Sequence, residues 1–201
     1  TNGDVWDDLG DWLDPAVDYC DWKGVECYGN TVAGLRLPNN GLSGYIPEEI
    51  GCLGPALRYL DLSHNDIQGC LPWSLGNLES LKELHVHHNE LTCGIPPTLG
   101  ELSASLQFLY AHDNYLDCEI PEELCELTSI FQIHLECNRL EGVIPECLLE
   151  IPSPPFHEMG LHCQEGDLLV EPEVGFLESF PFPIVPLDAS CGPEVCVLQN
   201  E

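Results

Sequence analysis

The chain predicts an α/β solenoid, with short parallel strands on one face and 3₁₀ or irregular segments opposite. Three observations carry that expectation. Asn recurs at Asn40, Asn65, Asn89, Asn114 and Asn138, at intervals of 25, 24, 25 and 24 residues. An apolar–Pro pair follows each Asn: Ile46-Pro47, Leu71-Pro72, Ile95-Pro96, Ile120-Pro121 and Ile144-Pro145. Just before each Asn lies an L-x-L pattern, whose alternate side chains point inward in a pleated strand. Two independent markers sharing one period identify stacked coils.

Three regions follow in order. Residues 1–31 hold Trp6, Trp12 and Trp22 with Cys20 and Cys27 and read as an N-terminal cap. Residues 32–152 form five repeats, "VAGLRLPNNGLSGYIPEEIGCLGPA", "LRYLDLSHNDIQGCLPWSLGNLES", "LKELHVHHNELTCGIPPTLGELSAS", "LQFLYAHDNYLDCEIPEELCELTS" and "IFQIHLECNRLEGVIPECLLEIPS". Leu35 and Leu37, Leu60 and Leu62, Leu84 and Val86, Leu109 and Ala111, and Ile133 and Leu135 are expected to stack as inner columns, each coil covering its neighbour's apolar side. The Asn column falls where the chain leaves the strand, and a buried Asn there satisfies backbone groups that the turn leaves open. Pro suits the far side because it has no N–H to donate. Residues 153–201 break the period and are rich in Pro, Phe and acidic residues. With Cys163, Cys191 and Cys196 they read as an irregular, disulfide-tied C-terminal cap.

The repeat, LxxLxLxxNxLxGxIPxxLGxLxx, closely resembles the plant-type leucine-rich repeat. The segment "DYCDWKGVECYGNTVAGLRL" resembles that family's N-terminal cap with its C-x-W-x-G-V-x-C core. The resemblance covers residues 1 to about 152. It implies a leucine-rich repeat right-handed superhelix whose parallel strands pave a concave face. It also implies a binding module, since relatives include receptor ectodomains and secreted inhibitors of cell-wall enzymes.

Twelve cysteines without a C-x-x-C pair point to disulfides and an oxidising, extracellular setting, whether a secreted protein or an excised ectodomain. Cys20–Cys27 is the first expected bridge. Cys93–Cys118 and Cys125–Cys147 are expected between neighbouring coils, which lie about 5 Å apart. Cys52 with Cys70, and Cys137 with a tail cysteine, are weaker pairings.

Asp and Glu total 35 against five Lys and Arg, for a net charge of -30. That charge excludes nucleic acid and disfavours anionic lipid. It favours a cationic or neutral protein, peptide or glycan over an anionic pectin-like substrate. No run of 18 apolar residues occurs, so no membrane insertion is expected. If the protein is secreted, its leader is expected to have been removed or to lie outside this sequence. There is no G-x-S-x-G, H-E-x-x-H or phosphate-binding glycine loop, so no enzyme is expected. The sequence leaves the oligomeric state open.

The outward strand positions concentrate the candidate site. They include Tyr59, Asp61, Glu83, His85, His87, Phe108, Tyr110, His112, Asp113, His134 and Glu136. Six of the eight histidines fall on this face, where chance would put about one. His64 and His88 lie in the common turn sequence L-S-H-N or its variant and read as repeat residues. His85, His87, His112 and His134 do not.

Two readings stay open for this cluster. One is a polar, aromatic contact surface for a ligand, with no cofactor required. The other is a site at His85, His87, His112 and Glu136 for zinc or copper, or a pH sensor, with the nearby carboxylates expected to raise the histidine pKa values. Calcium is a third, diffuse alternative on the carboxylate surface, since no EF-hand loop occurs.

Overall fold

A hairpin begins the array. Strands β1 (Val25–Tyr28) and β2 (Thr31–Arg36) pair antiparallel, with Tyr28 opposite Thr31 across a turn at Gly29 and Asn30. Cys20–Cys27 ties this hairpin to a short 3₁₀ turn, Tyr19–Asp21, whose N-cap Asp18 accepts from the Cys20 N–H. Trp12 and Trp22 pack with ring centres 5.0 Å apart, and Trp12 Nε1 donates to the Lys23 carbonyl at 2.8 Å. The computed structural model describes residues 12 and 14–150, together with a strand at Leu168–Leu169. Trp6 and the rest of the tail, with the cap expected there, lie outside the described residues.

From β2 the chain climbs by parallel addition. β3 (Ser43–Tyr45), β4 (Tyr59–Asp61), β5 (Asp66–Gly69), β6 (Glu83–His85), β7 (Glu90–Leu91), β8 (Phe108–Tyr110) and β9 (Gln132–His134) follow in chain order. The main sheet runs β1-β2-β4-β6-β8-β9, and a second sheet runs β3-β5-β7. The main sheet is in strict register, with Leu35, Leu60, Leu84, Leu109 and Ile133 aligned. The last four of these are buried, as the L-x-L pattern requires. β10 (Gly142–Val143) pairs parallel with β11 (Leu168–Leu169).

The Asn column is the hydrogen-bonded spine. Asn89 Nδ2 donates to the carbonyls of Leu62, Val86 and His87, and its Oδ1 accepts from the Ile67 N–H. Asn65, Asn114 and Asn138 repeat the arrangement one coil apart. Each amide thus bridges two coils and pairs buried backbone groups that a turn would otherwise orphan. The residue before each Asn takes a left-handed backbone: Asn39, His64, His88, Asp113 and Cys137 have φ between 51° and 55°. Asn, Asp and His tolerate that region better than most side chains. This places His64 and His88 as turn residues.

Opposite the strands, 3₁₀ segments recur at Glu48–Leu53, Trp73–Asn77, Pro97–Leu102, Glu122–Glu126 and Glu146–Leu149, each entered from a proline N-cap. Among the described residues no α-helix occurs. Coils approach closely here. A Cβ at Gly100 would lie 2.3 Å from the Glu123 carbonyl oxygen, so glycine is required.

Cys125–Cys147 bridges the convex side as expected. The expected Cys93–Cys118 bridge is corrected: Cys93 pairs with Cys70, Cα–Cα 5.2 Å. The reason is an offset between coils, which pairs Gln68, the twelfth residue of its coil, with Glu90, the tenth of the next. The thirteenth residue of one coil faces the fourteenth of the coil before it. Cys93 therefore faces Cys70, whereas Cys118 faces Gly94, with its Cβ and Sγ 3.4 and 3.9 Å from where a Cβ on Gly94 would sit. Cys118 is also disulfide-bonded, to a partner other than Cys93. Cys52 is an exposed thiol, which removes its pairing with Cys70, while the pairing of Cys137 with a tail cysteine lies outside the described residues.

Candidate ligand-binding site on the concave face

The outward residues of β4, β6, β8 and β9 gather on one wall because strand register is strict. Tyr59 stands opposite Glu83, Glu83 opposite Phe108, and Phe108 opposite Gln132. The next row reads Asp61, His85, Tyr110 and His134. Beyond the strand ends come His87, His112 and Glu136. The candidates read from the sequence all fall on these strands and the turns that follow them.

Rings from neighbouring strands touch throughout. His87 and His112 stack with centres 4.5 Å apart and planes 14° apart. His64 and His88 stack at 4.3 Å. Tyr110 joins His85 at 4.6 Å and His134 at 5.0 Å, and its hydroxyl donates to Gln132 Oε1 at 2.5 Å. At the other end Arg36 lies over the Tyr59 ring, 4.6 Å from its centre, and forms an ion pair with Glu26. Asp61 turns inward to its own loop, accepting from the Ser63 N–H and hydroxyl.

Two expectations are corrected here. Glu136 does not pave the surface: it is 2% exposed and its Oε1 meets His134 Nδ1 at 2.9 Å. The carboxylates also do not raise the pKa of His85 or His112. Burial pushes His85 down despite Asp61 and Glu83, and pushes His112 down despite Glu136 and Asp113. His87 is lowered to about 4, first by burial and then by the neighbouring imidazoles, led by His112. Loss of hydration outweighs the pull of the neighbouring carboxylates. Burial likewise raises Tyr110. His85, His87 and His112 are therefore mainly uncharged near pH 7, beside the carboxylates of Asp61, Glu83 and Asp113.

The four-residue metal set is divided by the geometry. The imidazole lone pairs lie in the ring planes, so two nearly parallel stacked rings such as His87 and His112 cannot converge on one ion. The groups whose ligand atoms lie within 4.8 Å of one another are His112, His134 and Glu136, and His88, His112 and Asp113. Neither includes His85 or His87.

Phe131 was not among the sequence candidates. It is 50% exposed and packs on Phe108 with centres 5.9 Å apart. A signal was present: the second repeat position holds Ala33, Arg58, Lys82 and Gln107 elsewhere, so an aromatic there is out of pattern.

A leucine rich repeat family model matches residues 55–116. Among curated proteins, the LRR receptor-like serine/threonine-protein kinase GSO2 of Arabidopsis thaliana is 42% identical over 103 residues, 51% of this chain and 8% of that protein. Among solved structures, a chain of the BIR3–SERK2 complex from Arabidopsis thaliana superposes with a TM-score of 0.64 at 31% identity, covering 72% of this chain and 82% of that one. The ectodomain of GASSHO1/SCHENGEN3 from Arabidopsis thaliana, in complex with CASPARIAN STRIP INTEGRITY FACTOR 2, gives 0.68 at 36% identity, covering 73% and 18%. The chain spans about a tenth of the length of the first curated relatives it matches. With its repeat period, its Asn spine and these likenesses, the chain belongs to the leucine-rich repeat family, in the form found in plant receptor ectodomains.

Proposed function

We propose that this extracellular chain is a non-catalytic recognition module that binds an extended peptide or protein segment, neutral or basic, along the concave wall. The carrying observation is the strip of touching rings across β6, β8 and β9, from His85 through Tyr110 to His134, flanked by Phe108 and Phe131. Half-buried aromatic side chains supply contact area at little entropic cost and are enriched at recognition surfaces. An in-register sheet offers equivalent positions about every 4.8 Å, a spacing suited to a partner laid across the strands. The net charge of -30 selects against polyanions and accelerates encounter with cationic partners. Two similar ectodomains support the reading by the company they keep: one is complexed with CASPARIAN STRIP INTEGRITY FACTOR 2, and another comes from the BIR3–SERK2 complex. A neutral glycan is the competing ligand, since aromatic faces also stack on sugars.

The test is retention of the intact chain on immobilised synthetic peptides graded from acidic to basic, beside neutral and anionic oligosaccharides. Binding to neutral or basic peptides, lost in Tyr110→Ala and Phe108→Ala, is the expected result. Retention by oligosaccharide alone, or peptide binding that survives both substitutions, overturns it.

A further inference from the structure

One cluster at the end of the wall is built unlike the rest. Glu136 is 2% exposed, and while Oε1 meets His134 Nδ1, Oε2 is buried with no hydrogen-bond partner. His112, on the neighbouring coil, holds a buried Nδ1 that also lacks one. A buried carboxylate oxygen left unsatisfied is a standing cost to the fold. A cation met by both orphaned atoms would remove it.

We propose that His112, His134 and Glu136 bind one borderline divalent cation of the zinc class through two imidazole nitrogens and one carboxylate oxygen, leaving a fourth position for water or a ligand group. Each residue offers a ligand atom within 4.8 Å of the other two. Two imidazoles with a carboxylate form a recurrent three-ligand zinc set, whereas calcium takes six to eight oxygens. Ring geometry agrees. A metal–nitrogen bond near 2 Å sets two ring centres of a tetrahedral site about 5 Å apart, with crossed planes. His112 and His134 lie 5.8 Å apart at 65°. Asp113 Oδ2 lies 3.9 Å from His112 Nε2, on the side where metal-bound histidines keep an acceptor. The alternative group of His88, His112 and Asp113 is more exposed, and its carboxylate has no orphaned buried oxygen. The proposal stands apart from the peptide reading, because it requires no partner.

The experiment titrates zinc into the full chain carrying Cys52→Ser, since the exposed Cys52 thiol is itself a zinc ligand. Excess calcium occupies the diffuse carboxylate surface, and a competing zinc dye reports affinity. One equivalent should bind. Glu136→Gln and His134→Ala should each weaken it by at least about tenfold, and His88→Ala by less than about twofold. Circular dichroism checks that each variant is folded. Should a substitution unfold the chain, imidazole NMR of the Cys52→Ser protein decides: zinc should move the His112 and His134 ring signals before those of His85 and His87. Absence of stoichiometric binding, unchanged affinity in both ligand variants, or first perturbation at His85 and His87 overturns the assignment.

Discussion

Two polar columns climb the same coils, two residues apart, and they are treated differently. The Asn column is saturated. Asn65, Asn89, Asn114 and Asn138 each donate to carbonyls of two coils and accept from a buried N–H. The column two residues earlier runs Ser63, His87, His112 and Glu136. Ser63 is closed off by Asp61, but His87 Nδ1, His112 Nδ1 and Glu136 Oε2 are buried without partners. Polar groups that serve the fold find their partners inside it. Buried atoms with no partner in the chain add cost and no cohesion.

The strongest way to break this contrast is to remove the saturated side of it. Asn89→Leu strands the buried Ile67 N–H and removes one of the donors to the Leu62, Val86 and His87 carbonyls, each of which keeps another, and should cost about 1–3 kcal/mol in chemical denaturation. An Asn89→Leu protein as stable as the parent would show that the ladder is not what joins the coils. Next in size is the turn residue beside it. His88 has φ 53°, and His88→Val, β-branched in a left-handed turn, should cost about 1–2 kcal/mol. His88→Asn should be near neutral, which would confirm His88 as scaffold.

These distinctions were unevenly legible in the sequence. Period, register and the inward Leu columns follow from composition at fixed spacing, because a stacked coil allows each slot one environment. The Asn ladder was readable for the same reason. The Cys70–Cys93 bridge was not, since pairing depends on an offset between coils that spacing alone does not reveal. The direction of the histidine shifts was also missed. Counting nearby carboxylates captures the charge but omits the lost hydration, and for His85 and His112 the omitted effect is the larger. Glu136 looked like a surface residue by slot. Only coordinates show it folded under His134.

The unsaturated column can be read through pH. His87 has a folded pKa of about 4 against about 6.5 unfolded. Between those values the unfolded chain binds a proton that the folded chain refuses. Its contribution therefore makes stability fall as pH drops from about 6.5 toward 4, and leaves it flat above. Discounted for a half-exposed ring, the effect is about 1 kcal/mol. His87→Gln should remove it: denaturation at about pH 7 and about pH 5 should show the variant losing correspondingly less than the parent. An equal loss in both would mean that His87 is protonated in the folded protein, and that the column is less buried than its neighbours make it.

The smallest expected effect on stability is at Phe131, and it sharpens the contrast most. The ring is half exposed and touches Phe108 at its edge rather than the leucine core. Phe131→Ala should change unfolding free energy by less than about 0.5 kcal/mol, as for other surface positions. If the wall binds peptide, the same substitution should weaken retention on the peptides that the parent holds, because an exposed aromatic at the rim of a ring strip contributes to contact with a partner and little to the fold. A loss of stability without a loss of retention would move Phe131 from the recognition surface to the packing of the last coil, and shorten the proposed wall by one strand edge.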